Sequence, residues 1–192
     1  MKVVDEILSF WIDEIGPKGW YNGSPELDDA IRQRFEIDWQ KARAGNCSQW
    51  LTDASGALAF IILTDQFSRN MFRDDPRAFE ADKSARAAAK IAIDRKWDLT
   101  ISEPVRQFFY MPLMHSENQT DQDRAVRLIH ARLPETGAST LVHAKLHRDI
   151  IRKFGRFPFR NAALSRANKP CEQEFLDAGG YGGAFRDAMA PV

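Results

Sequence analysis

The stretch ALAFIILTDQFSRNMFR, residues 57–73, starts as an apolar helix and closes on Asp65, Gln66, Ser68, Arg69, Asn70 and Arg73. At helical spacing Phe60, Leu63, Phe67 and Met71 share one face, while Leu58, Ile61 and Ile62 form a second stripe that Asp65, Arg69 and Arg73 prolong. The polar groups therefore continue an apolar face. Asp65 and Arg69 stand four apart with the acid first, the favoured order for a helical ion pair. Exposed, such a pair contributes only about 0.3–0.5 kcal/mol; buried, its rupture costs about 3–5 kcal/mol. Burial decides what it means.

Outward from this stretch, apolar residues recur at helical spacing almost throughout, and no segment alternates β-branched residues between hairpin turns. The expected fold is all-α. Helices are read at about 3–14, 26–44, 54–72, 76–95, 103–117, 120–133, 139–154, 161–167 and 171–177. Asp75 before Pro76 is an N-cap signal with proline at the first helical position. Gly45 and Gly155 follow runs containing cationic residues and fit left-handed C-terminal caps. Short connections favour antiparallel helix pairs, as a bundle or a stacked superhelix, although no clean period of about 34 residues is visible. A single helical domain over 1–178 is expected, followed by a flexible glycine-rich tail, 179–192, whose GGYGG lacks the flanks of a phosphate loop.

The 192-residue chain is long enough to bury a core without metal or disulfide support. Lys plus Arg and Asp plus Glu both total 27, so no global field draws nucleic acid or anionic membrane, and any anion site must be local. Cys47 and Cys171 have no metal-type spacing or partner motif, which fits isolated thiols in a reducing, cytoplasmic compartment. The N-terminal MKVVDEILSFWIDEI carries acids through its apolar stretch and reads as an amphipathic helix rather than a signal peptide. The longest apolar run, ALAFIIL, falls far short of the about 20 residues that span a bilayer, so a soluble protein is expected.

LTDQFSRNMFR, DDPRAFEAD, FFYMPLMHSENQTDQD and HRDIIRKFGRFPFRN, in this order and spacing, resemble the blocks of the bacterial domain-of-unknown-function family 924, over about residues 3–177. The resemblance implies a tetratricopeptide-like fold, here a right-handed superhelical array of about 8–9 helices, and no established activity. Ser68 stands where the family commonly has proline and Phe159 where it commonly has histidine; the second change removes a possible ligand.

Three constellations could carry chemistry. The first is the polar end of the opening stretch. In the second, KFGRFPFRN at 153–161, Pro158 makes Phe157 extended, so that Phe157 and Phe159 point one way and Arg156 and Arg160 the other. Asn161 is placed to cap the short helix that follows. The third is FFYMPLMHSENQTDQD at 108–123, where Pro112 breaks the helix beside Tyr110 and before His115 and Glu117. His143 and His147 are four apart, as in helical metal sites, but no glutamate follows His143 as a metalloprotease requires; no metal or cofactor is expected. The tryptophans, all before residue 100, read as packing anchors. The basic run from 147 to 169 is interleaved with phenylalanines, yet reads as a solvated cationic face rather than a nucleic-acid platform.

The leading expectation is an Arg/His-lined cleft for a small anion or an acidic peptide terminus, with Asp65, Arg69, Asn70, Arg73, Tyr110, His115, His147, Arg156 and Arg160 as ligand-binding residues. The alternative is a hydrolase or isomerase acting on an anionic metabolite, with His115 or His147 as general base and Asp65 or Glu117 as partner. A third is an interaction scaffold in which the same groups form a structural polar core. Oligomeric state is not readable.

Overall fold

The computed structural model describes residues 2–190, and among these every regular element is helical. The last two residues of the expected tail, 191 and 192, lie outside them. Packing divides the chain into two compact units, Met1–Pro112 and Leu113–Val192.

In the N-terminal unit, α1 (Lys2–Leu8) runs into a π-helical turn, Ser9–Ile15, and α2 spans Pro25–Arg43. α3 (Ala54–Ile61) continues as a second π-helical segment, Ile62–Phe67, and then as α4 (Ser68–Met71). After the single turn Arg77–Glu80 comes α5, Asp82–Asp94. α3 packs on α1 and α5, and α4 packs on α2. Caps start these helices as the sequence dictates: the Ser24 hydroxyl accepts from the Leu27 N–H, the Asp53 carboxylate accepts from the Gly56 N–H, and Asp75 accepts from the Arg77 N–H. The core is aromatic, with the Phe67 ring 5.0 Å from Phe35 and 5.3 Å from Trp11. The expected helix over 76–95 is interrupted at Ala81, where a one-turn piece gives way to α5.

In the C-terminal unit, α6 (Gln119–Arg132) and α7 (Ala138–Phe154) form the principal packed pair. Asn118 caps α6 by accepting from the Thr120 and Asp121 N–H groups. Gly155 closes α7 at φ 73°, and Gly45 likewise follows α2 at φ 83°, conformations that glycine adopts without a Cβ clash. Ile150, Ile151, Phe154 and Phe157 make the core against Leu146, Phe175 and Tyr181. Two expectations fail locally. Residues 161–165 are a run of turns instead of a helix, so Asn161 caps nothing. Its amide nitrogen donates to Asn168 and Glu172, and its oxygen accepts from Arg166.

The second difference lies in the glycine-rich stretch. After α8 (Pro170–Asp177), residues Gly180–Met189 form a helix, α9, which packs on α7 and α8. The glycines serve the α8–α9 corner: Gly179 has φ 96°, and a Cβ on Gly183 would lie 2.4 Å from the Ala178 carbonyl oxygen. A run without enough apolar material to fold alone folds against a neighbour. Tyr181 supplies the contact, as its hydroxyl shares a 2.5 Å hydrogen bond with His143 Nδ1.

Candidate functional site

The polar end of the opening stretch is buried. Asp65 is fully enclosed, and Arg69 meets it through Nη1 at 3.1 Å while donating to the Asp65 carbonyl at 2.7 Å. The π-helical segment widens the backbone there and puts Thr64, Asp65 and Gln66 all inside. Gln66 Nε2 donates to the other Asp65 oxygen at 2.5 Å, and Arg69 Nη2 reaches Asp82 at 3.0 Å. Burial by itself would lower the Arg69 pKa; the charges of Asp65 and Asp82 outweigh it and hold the group above the ordinary arginine value.

One turn on, Asn70 and Arg73 share a carboxylate that sequence reasoning did not single out. Asp28 on α2 accepts from Asn70 Nδ2 at 2.8 Å and from Arg73 through both Nε and Nη2. Tyr110 is fully buried in the same unit and donates its hydroxyl to Asp98 at 2.6 Å.

The C-terminal unit gathers the remaining candidates in two groups. Arg156 makes a fork to Glu172, with Nε and Nη2 each 2.7 Å from a carboxylate oxygen. The Lys169 N–H and Asn161 also donate to Glu172, and this set of donors, Arg156 first, holds its carboxyl down to about 2. Glu172 escaped attention in the sequence, although Pro170 at the first helical position with an acid two residues later marks the start of a helix. Beside this group, Glu117 takes a fork from Arg166 at 2.8 and 3.0 Å and the Phe157 N–H at 2.8 Å. Burial pushes the Glu117 pKa up, but Arg166, the Phe157 N–H and the charge of Arg160 together bring it below the ordinary value.

The second group is built around His147 on α7. Its Nδ1 lies 2.8 Å from the His143 carbonyl oxygen; since a carbonyl only accepts, Nδ1 carries the hydrogen and Nε2 presents the lone pair. The His147 ring lies 6.2 Å from His115, 5.2 Å from Phe157 and 4.9 Å from Tyr181, centroid to centroid. The Arg160 guanidinium sits 4.4 Å over the Phe157 ring. Burial, followed by the charge of His115 and with a smaller push from Arg160, drives His147 down to about 3. The backbone at 158–160 is a 3-10 turn rather than an extended strand, yet the Phe157 and Phe159 rings still lie together, 5.1 Å apart. Phe159 is 37% exposed, and His115, His147 and Tyr181 are half-buried, so the cluster reaches solvent.

The expected ligand-binding residues thus sort by unit. Asp65, Arg69, Asn70, Arg73 and Tyr110 belong to the N-terminal one, and His115, His147, Arg156 and Arg160 to the C-terminal one. Each of Arg69, Arg73 and Arg156 is engaged by a carboxylate of its own unit. Among the described residues no three His, Cys, Asp or Glu side chains gather as a metal site. Both cysteines are free thiols, Cys47 buried and Cys171 exposed.

The family model described as bacterial protein of unknown function (DUF924) matches residues 7–180. The chain belongs to this family. A solved structure, the protein of unknown function ATU0120 from Agrobacterium tumefaciens, is similar at 36% identity and a TM-score of 0.87, over 93% of this chain and 98% of that one. No curated protein matches. The solved relative shares the fold of this DUF924 chain, and neither description names an activity. No helix of the described residues in this DUF924 chain is long and apolar enough to cross a membrane.

Proposed function

We propose that the chain binds a small anion, or the carboxylate end of an acidic peptide, at the cluster of His115, His147 and Arg160. The observation that carries this reading is the geometry around His147: its tautomer is fixed by the His143 carbonyl, its ring lies 6.2 Å from His115 and 5.2 Å from the Phe157 ring that the Arg160 guanidinium covers, and burial first, then His115 and Arg160, disfavour its protonation. Where Arg160 and a second imidazole already oppose protonation of His147, an anion offsets that opposition. The exposed face of Phe159 and the half-buried Tyr181 ring give an apolar wall for the rest of the ligand. The tetratricopeptide-like superhelix and a cytoplasmic location belong to this proposal and fit an all-helical chain with two free thiols.

Binding is favoured over acid–base catalysis by the same value. A base pushed down to about 3 accepts a proton poorly at neutral pH, where an effective general base sits near 7. Nε2, the ring nitrogen left open by the Nδ1–H bond to the His143 carbonyl, becomes a donor to the anion when the ring takes up a proton.

The test is calorimetry on the full chain with inorganic phosphate, succinate and a short acidic peptide. At least one should bind, with affinity rising as pH falls below about 6.5, because an anion beside His147 lifts its depressed pKa and so takes up a proton. His147→Gln should abolish that pH dependence while the helical circular dichroism stays unchanged. Absence of heat from all three probes at millimolar concentration, or a pH dependence that survives His147→Gln, would overturn the reading.

A further inference from the structure

A groove of about 300 Å³ in the N-terminal unit, at the lower end of small-ligand pockets, involves none of the His147 cluster. Asp28, Asp29, Arg32, Arg73, Asp75 and Arg77 line it, three charges of each sign. Its arginines are held in place by their own partners. Arg73 spends Nε and Nη2 on Asp28, and Arg77 spends Nε and Nη2 on Asp75 while lying 4.5 Å over the Phe72 ring. Arg73 is further confined by Gly23, where a Cβ would stand 2.4 Å from Nη2. The hydrogen bonds of both arginines run through Nε and Nη2, which leaves Nη1 uncommitted on side chains 52% and 49% exposed; that of Arg73 lies beside Gly23, where a Cβ would stand 3.3 Å from it. Asp29 is 64% exposed and meets Arg32 through one oxygen at 3.2 Å, which leaves the other to a ligand.

Fixed donor edges and a fixed acceptor, with formal charges that cancel, discriminate between ligands. A simple anion gains from Arg73 and Arg77 but meets the field of Asp28, Asp29 and Asp75; a simple cation meets the converse. A molecule with both charges a few ångströms apart satisfies each side. We propose that this groove binds a free α-amino acid as its zwitterion, the carboxylate on the Nη1 edges of Arg73 and Arg77, the ammonium on Asp29, and the side chain against Pro25. Pro25, exposed at the groove, gives that side chain a surface to cover. The inference is independent of the anion site in the other unit.

The experiment is an amide NMR titration of the full chain with the standard free α-amino acids, with acetate, methylammonium and phosphate as single-charge probes. At least one amino acid should shift the amides of residues 26–32 and 70–77 and bind about tenfold or more tighter than any single-charge probe. Asp29→Asn, an exposed substitution, should weaken that binding about tenfold at an unchanged melting temperature. Three results would each overturn the proposal: no amino acid shifts those amides, a single-charge probe binds as tightly, or Asp29→Asn leaves the affinity unaltered.

Discussion

Asp65 is enclosed with Arg69, and Arg69 keeps a second carboxylate, Asp82, when the first is neutralised. Asp65→Asn is therefore expected to lower stability by about 2 kcal/mol, below the 3–5 kcal/mol of a buried ion left alone, because Asp82 still compensates the guanidinium. Chemical denaturation measures it, and a change under about 0.5 kcal/mol would put the pair among exposed ones. Glu172 is the sharper case, since one carboxylate answers Arg156, Asn161 and the Lys169 N–H. Glu172→Gln keeps the shape but loses the charge, and the expected signature is faster hydrogen exchange at the start of α8 together with a lower melting temperature. At this scale the sequence was legible on one side only. It marked Arg69, Arg73, Arg156 and Arg160, but not Asp28 and Glu172, because a long-range partner leaves no local spacing to read.

Among the elements, caps and cap glycines follow the sequence closely, since they depend on residues three or four positions apart. Ser24, Asp53, Asn118, Gly45 and Gly155 all act within one turn. The π-helical widening at Ile62–Phe67 and the helix α9 were not readable, because each depends on what packs against it. α9 has little apolar surface and is held through Tyr181 and the tight corner at Gly179–Gly183. Gly183→Ala forces a methyl onto the Ala178 carbonyl and is expected to cost about 1–3 kcal/mol of α9 docking. Amide exchange confined to residues 180–189 should speed up; unchanged protection there would show that the corner has room to spare.

Over the whole molecule, the all-helical class was readable from periodicity alone, while the division into two packed units was not. Helical spacing tells which face of a helix is buried but not which helices share a core. One consequence is shared by the titrating groups. His147 is depressed from 6.5 to about 3 and Glu172 from 4.5 to about 2, so at low pH the unfolded chain takes up protons that the folded one refuses. The stability these groups contribute is complete above about pH 6.5, declines as pH falls toward 3 on account of His147, and falls further between 4.5 and 2 as Glu172 joins. Melting temperatures measured from pH 7 to pH 3 should drop, and His147→Gln should flatten the upper part of that fall.

The anion reading rests on His147, and its imidazole signal can be followed directly by NMR through a pH titration with and without added phosphate or succinate. The account predicts a ring that stays neutral down to about pH 3 in the free chain, with Nδ1 protonated, and that titrates at higher pH once the anion is bound. A His147 that titrates near 6.5 in the free chain, or whose midpoint does not move with either anion, would contradict it.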